Sequence, residues 1–132
     1  RPDAMICTGR SDYPNQVNNV LCFPYIFRGA LDVRARTITD EMCLAAAKAL
    51  AALGEARGLD EQHIVPDMQE PDLYAHEATA VGLKAIEQGL ARVTLSKEEL
   101  FAAAVERIQA ARTLIDTMMR EELIPPVPPE QP

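Results

Sequence analysis

The sequence predicts a mainly α protein: one short strand at about residues 4–8, followed by about four helices. Three observations lead there. Ala is abundant, Trp is absent and aromatics make up only 5% of 132 residues, a composition that favours closely packed helices over a strand-rich sandwich. Apolar residues recur at helical spacing in four separate stretches. The only confident strand signal is the short apolar run Ala4-Met5-Ile6-Cys7-Thr8, closed by Gly9. A lone strand leaves its edges unpaired, so it is expected to pair with something outside this chain or with a second copy.

Residues 9–23 read as a loop. Gln16, Asn15, Asn18 and Asn19 crowd a few positions around Pro14 and Val17. Pro24 suits the first turn of a helix. Phe23, Phe27, Ala30 and Leu31 then supply an apolar stripe, and this first helix is expected to end near Arg34. A second helix is predicted from about Asp40 to Leu53. Thr39 is its N-cap, and Asp40 and Glu41 complement the dipole. Its buried face is read as Met42, Ala46, Ala49, Leu50 and Leu53, and Gly54 and Gly58 are stop signals.

His63-Ile64-Val65-Pro66 is read as a short extended piece, kept out of helix by Pro66. Pro71 opens a third helix over roughly 72–90, with Tyr74, Ala78, Val81, Ala85 and Leu90 facing inward. Ser96-Lys97-Glu98-Glu99 is a capping box, and Leu95 and Leu100 are placed for a hydrophobic staple. Ala104, Ile108, Ala111, Ile115 and Met118 continue one face to about Glu121. At 1.5 Å per residue this fourth helix spans roughly 35 Å, a length suited to packing across another domain or a partner. The Pro-rich tail, 124–132, cannot be helical and is expected to be extended.

The formal net charge of −7 is unevenly spread. Residues 1–36 carry five basic and three acidic side chains, and the remainder carries eight basic and seventeen acidic. The mildly basic start suits an anionic small molecule. The acidic remainder argues against nucleic acid, which needs a Lys/Arg surface, and gives no polybasic signal for membranes. Cys7, Cys22 and Cys43 lack CxxC spacing and sit among apolar neighbours, so reduced, buried thiols and a cytoplasmic setting are expected. No apolar run is long enough to cross a bilayer.

Chemistry is expected in the loop after the strand. In open α/β sheets ligands bind just beyond the carboxyl ends of strands, and residues 9–19 occupy that place. A carboxamide donates and accepts at once, so adjacent amides can grip a carboxylate, a hydroxyl or another carboxamide. They can equally hold their own turn. His63 and His76 lie in different elements without ligand spacing, which leaves a metal role unsupported. Arg28 could neutralise an anion, or be paired within its helix.

The run Thr8-Gly9-Arg10-Ser11-Asp12-Tyr13-Pro14-Asn15-Gln16-Val17-Asn18-Asn19-Val20-Leu21-Cys22-Phe23-Pro24, then Ile26-Phe27-Arg28-Gly29-Ala30-Leu31-Asp32-Val33, resembles the malic enzyme family and is closest to its bacterial type. Thr37-Ile38-Thr39-Asp40-Glu41-Met42 and Ile64-Val65-Pro66 fit in order and spacing. The likeness is dense over 4–53, thinner to about 66 and weak beyond.

The resemblance implies oxidative decarboxylation of malate to pyruvate and CO2 with NAD or NADP and a divalent Mg or Mn. It assigns a malate contact to Asn19, with Asn18 close behind and also facing the nicotinamide. Gly9, Arg10 and Ser11 are its weaker cofactor-pocket candidates. It makes the opening strand the end of a Rossmann-type sheet, so that the full-length enzyme is α/β and the helices return onto its N-terminal domain. Residues 1–36 then end the dinucleotide-binding domain, 37–123 form a C-terminal helical region, and 124–132 are a tail.

The family's general-base Lys, acid Tyr, acidic metal ligands and glycine-rich loop belong upstream of this motif, and no GxGxxG occurs here. No catalytic residue and no metal ligand is therefore expected in this segment, and the isolated chain is expected to be inactive. Tyr25 departs from the Gly often found after the Phe-Pro of the motif, which puts the local turn in question. The implied partners are malate and pyruvate, the rest of the enzyme chain, and further copies in a homo-oligomer. The rival reading is an autonomous helical interaction module, assembled through its long last helix and Pro-rich tail without catalysis.

Overall fold

The computed structural model describes residues 4–67, 70 and 73–128. It is built from four helices: α1 (Phe23–Asp32), α2 (Asp40–Arg57), α3 (Leu73–Glu87) and α4 (Lys97–Arg120). The expected third-helix start at Pro71, residues 1–3 and the tail end at 129–132 lie outside the described residues.

The helix α3 is the centre. It packs against α1, α2 and α4, so nine of its residues are buried, around most of its circumference rather than along one stripe. Ile26, Ala30 and Val33 from α1 and its C-cap, Met42 and Ala46 from α2, Val81 and Ala85 from α3, and Leu100 from α4 form the main core cluster. A second cluster joins Leu21, Leu73 and Tyr74. There the Tyr25 ring stacks on Tyr74 at 3.8 Å between centroids. This stacking accounts for an aromatic after Phe23-Pro24, and α1 runs through Tyr25 without a break.

Backbone approaches backbone where α1 crosses α3. A Cβ added at Gly29 would lie 2.2 Å from the Ala78 carbonyl oxygen and 2.8 Å from Val81 Cβ, so only glycine fits. Helix ends follow local rules. Thr39 and Ser96 cap α2 and α4, the latter in the full reciprocal capping box with Glu99. Gly89, at φ 68°, ends α3 in a Schellman arrangement, with the Leu90 N–H donating to Ala85 O at 2.9 Å. Arg34, at φ 50°, plays the same part after α1, with the Ala35 N–H donating to Ala30 O at 2.8 Å.

Several expectations are corrected. Residues 4–8 form no ladder among the described residues; the one β contact there is an isolated parallel bridge between Thr8 and Gln16. Among the described residues no neighbouring strand is present to form such a ladder. Of the predicted α1 stripe only Ala30 is buried: Phe23, Phe27 and Leu31 are 61%, 47% and 61% exposed, and Ile26 and Gly29 join Ala30 on the inward side. Helix α2 runs past the expected stop at Gly54, which lies buried inside it with the Ile64 carbonyl close above. On α4 only Leu100 and Ala104 are buried; Ala111 and Ile115 are exposed, and residues 109–116 are exposed all round. Cys7 and Cys43 are exposed free thiols and Cys22 is half-buried, contrary to the expectation of burial. No helix among the described residues is long and apolar enough to cross a membrane.

Candidate functional site

The amide-rich loop is closed at its base by two backbone bonds. The Val17 N–H donates to Thr8 O at 2.8 Å, and the Thr8 N–H donates to Asn15 O at 3.4 Å. Between them the chain turns outward, and Arg10, Ser11, Asp12, Tyr13 and Pro14 are all exposed. Asn15 is the exception at 5% exposure. Its Oδ1 accepts from the Ile64 N–H at 2.8 Å, and its Nδ2 donates to Glu61 O at 2.8 Å and to Ile6 O at 3.4 Å.

Asn18 and Asn19 follow directly. Asn18 has extended backbone and caps a short 3-10 turn, Asn19–Leu21, its Oδ1 accepting from the Val20 N–H at 3.0 Å. One face of the Asn18 amide is therefore spent on its own backbone, as the local reading of an Asn-rich turn anticipates. Asn19 is exposed, and its side chain makes no hydrogen bond among the described residues, so donor and acceptor are both open. Leu21, 3% exposed, anchors the turn in the core.

The weaker candidates are differently placed. Arg10 is paired with Asp12 through its Nε at 2.8 Å, and its guanidinium lies 4.9 Å from the centre of the Tyr13 ring. This ion pair holds the Asp12 carboxyl below its ordinary value. Gly9 accepts from Gln16 Nε2 at 3.4 Å through its carbonyl. Ser11 lines an open cleft of about 270 Å³ with Asn15, Gln62, His63 and Asp67. Arg10 lines a second opening of about 540 Å³ with Met5, Ile6 and Glu61. Neither contains Asn18 or Asn19, so the structure does not gather the five candidates into one cavity. Arg28 is paired within α1, its Nη2 donating to Asp32 Oδ1 at 2.6 Å, and Arg107 lies 3.5 Å from the same oxygen.

Beside Cys22, on α3, sits a group the sequence reading missed. Glu77 of α3 is fully buried, and neither carboxylate oxygen has a hydrogen-bond partner among the described residues. Loss of solvent pushes its carboxyl up to about 8, with the nearby Cys22 thiol pulling weakly the other way. Burial, then the neighbouring Glu77, pushes the Cys22 thiol up to about 11. At neutral pH both groups are mainly protonated. The signal was present in the sequence: Leu73, Glu77 and Val81 recur every four residues, which places an acid on an apolar face. Asn15 was also missed as a structural tie. Its backbone is left-handed at φ 57°, a conformation that Asn tolerates better than other residues bearing a Cβ.

A metal centre does not assemble here. No three His, Cys, Asp or Glu side chains come together among the described residues, and His63 is instead bonded to Asp60 at 3.0 Å.

Comparison with known proteins gives one answer. Residues 2–88 match the family model described as "Malic enzyme, NAD binding domain". The chain is 50% identical over 105 residues to the NADP-dependent malic enzyme of Escherichia coli (strain K12), covering 69% of this chain and 14% of that protein. The NAD-dependent malic enzyme of Rhizobium meliloti (strain 1021) matches at the same identity and coverage. Among solved structures, Entamoeba histolytica malic enzyme superposes with a TM-score of 0.88 at 43% identity, over 96% of this chain and 26% of that one. This chain thus spans about a seventh of those curated relatives and about a quarter of the solved chain. With two thirds of its length inside the family's NAD-binding domain and the backbone of a solved member reproduced along it, the chain belongs to the malic enzyme family.

Proposed function

We propose that this chain supplies the loop that orients malate against the nicotinamide in a malic enzyme, within a longer protein that oxidatively decarboxylates malate to pyruvate and CO2. The observation that carries this reading is Asn19: an exposed carboxamide with no protein partner among the described residues, on a turn anchored by Leu21. Its donor and acceptor suit a hydroxyl, a carboxylate or a carboxamide, which are the groups malate and nicotinamide present. Asn18 keeps its amide nitrogen for the same neighbourhood while its oxygen holds the turn.

When bound, NAD or NADP supplies the hydride acceptor, and the residues here bind and orient rather than transfer protons. Gly9, Arg10 and Ser11 are proposed only as the outer wall on the cofactor side, since Arg10 is already engaged by Asp12. Among the described residues no three His, Cys, Asp or Glu side chains come together as a divalent ion would need. Mg or Mn is therefore assigned to other parts of the enzyme, and the segment alone is proposed to be inactive. The proposed setting is the cytoplasm.

The test is Asn19→Ala in the full-length protein. Loss of one buried hydrogen bond to substrate corresponds to about 1–3 kcal/mol, read as a higher KM for malate or a lower kcat. Unchanged malate kinetics would remove Asn19 from the site.

A second reading, assembly of subunits through α4, is favoured by the exposure of that helix on every side over 109–116 and by Leu114, Ile115 and Leu123 at 60%, 50% and 70% exposure. It coexists with the first. Truncating the full-length protein after residue 108 and measuring its mass in solution tests it; an unchanged oligomer rejects it.

A further inference from the structure

We propose that Asn15 is a positioning residue for this site: its carboxamide ties the loop to the turn at 61–64 and thereby sets where Asn18 and Asn19 stand. The inference rests on the reading of Asn19 given above and extends it to a residue that touches no substrate.

Four features of Asn15 converge. It is the one buried residue within an exposed stretch, with Ser11–Pro14 outside it on one side and Val17 on the other. Its oxygen and nitrogen are both used, and they reach backbone groups 46 and 49 residues away in sequence. The same nitrogen also meets Ile6 O, so one side chain holds three segments: 6, 15 and 61–64. Its backbone is left-handed at φ 57°, which turns the chain back toward Thr8.

The geometry restricts the residue type. A carboxylate could accept from Ile64 but could not donate to Glu61. A longer amide would overshoot the 2.8 Å contacts, and a β-branched residue is disfavoured at positive φ. Beyond the two backbone bonds at its base and the Gln16–Gly9 contact, little else fastens the loop. Ile6, Tyr13 and Val17 are 69%, 55% and 49% exposed, so apolar burial contributes little and the polar tie dominates.

The lever arm from Asn15 to the amide pair is short. Only Gln16 and Val17 intervene before Asn18, and the Val17 N–H is itself bonded to Thr8 O. Releasing Asn15 leaves the base of the loop held by its two backbone bonds alone, with Leu21 the next residue anchored in the core. Asn19 would then sample positions that no longer match a bound malate, and misplacement by about 1 Å can cost on the order of a hundredfold in rate.

A double-variant cycle in the full-length protein tests this. Asn15→Gly keeps the left-handed backbone and removes the amide; Asn15→Asp, of equal size, provides a second variant if the glycine protein does not fold. The kcat and KM for malate are measured per folded protein, with and without Asn19→Ala. Acting through Asn19, Asn15→Gly lowers kcat/KM at least tenfold in the parent background and less than twofold once Asn19 is gone. Equal losses in both backgrounds would mark a merely structural role and overturn the proposal. No loss from Asn15→Gly, with a clear loss from Asn19→Ala, overturns it and leaves the malate reading intact. If Asn19→Ala alone has no effect, that reading falls and the positioning role falls with it.

Discussion

Replacing Glu77 by Gln should make the protein more stable at alkaline pH and change how its stability depends on pH. Glu77 has no exposed surface and no hydrogen-bond partner among the described residues, and its carboxyl is pushed from 4.5 up to about 8. The folded state therefore keeps a proton that the unfolded chain releases. Between those values the unfolded state binds fewer protons, so stability falls as pH rises. The contribution is intact below about 4.5, erodes through neutrality and is lost above about 8. At roughly 1.4 kcal/mol per pH unit the full span corresponds to about 5 kcal/mol, which is large beside a typical domain stability of about 5–15 kcal/mol. Glutamine has nearly the same shape and never ionises. Urea unfolding at pH 5, 6.5 and 8 should give parent and E77Q midpoints that converge at the acid end and separate at the alkaline end, the variant being the more stable. Because other titrating groups are common to both proteins, their difference reports Glu77 together with the Cys22 thiol that it perturbs. Parallel pH profiles would refute the claim that this carboxyl is buried without compensation.

Other outcomes follow from the same contacts. Gly29→Ala should destabilise the protein by about 1–3 kcal/mol of overpacking, less a helix-propensity gain of about 1 kcal/mol, because the new methyl would strike the Ala78 carbonyl; thermal melting measures it. Leu100→Ala should cost about 2–5 kcal/mol, since Leu100 is 1% exposed and abuts Gly82. Ser96→Ala should cost about 1 kcal/mol by breaking the capping box, with the loss confined in hydrogen exchange to the first turn of α4. Alkylation at pH 8 followed by mass spectrometry should label the exposed Cys7 and Cys43 quickly, and Cys22, with its thiol pushed up to about 11, slowly.

Local chemistry made much of this structure readable in advance. Thr39 and the Ser96–Glu99 box announce the starts of α2 and α4 because a cap is written in residues only a few positions apart. The family motif brought Asn18 and Asn19 forward for the same reason. What could not be read depends on residues far apart in sequence. Whether the Phe23–Leu31 stripe or the Ile26–Ala30 side of α1 faces inward is decided by α3, about fifty residues later, since both sides are apolar. The α2 stop at Gly54 failed because Gly54 is buried inside α2 beneath Ile64 O, where an added Cβ would lie a tight 3.3 Å away, and packing outweighed helix propensity. Asn15 reads as an ordinary turn residue until the segment at 61–64 folds against it. Its share in the candidate site is tertiary and has no local signature.

The seat of α1 on α3 has a mechanical consequence. Helices that meet through side chains can creep past one another as rotamers change, and many domain closures work by such shear. Where Gly29 rests against the Ala78 carbonyl there are no rotamers to change. The turn that carries Asn19 leads straight into α1. The wedge of α1 and α3 should then tilt as one piece, carrying Asn19 with it, while freedom of adjustment is left to the stretch ahead of Asn15.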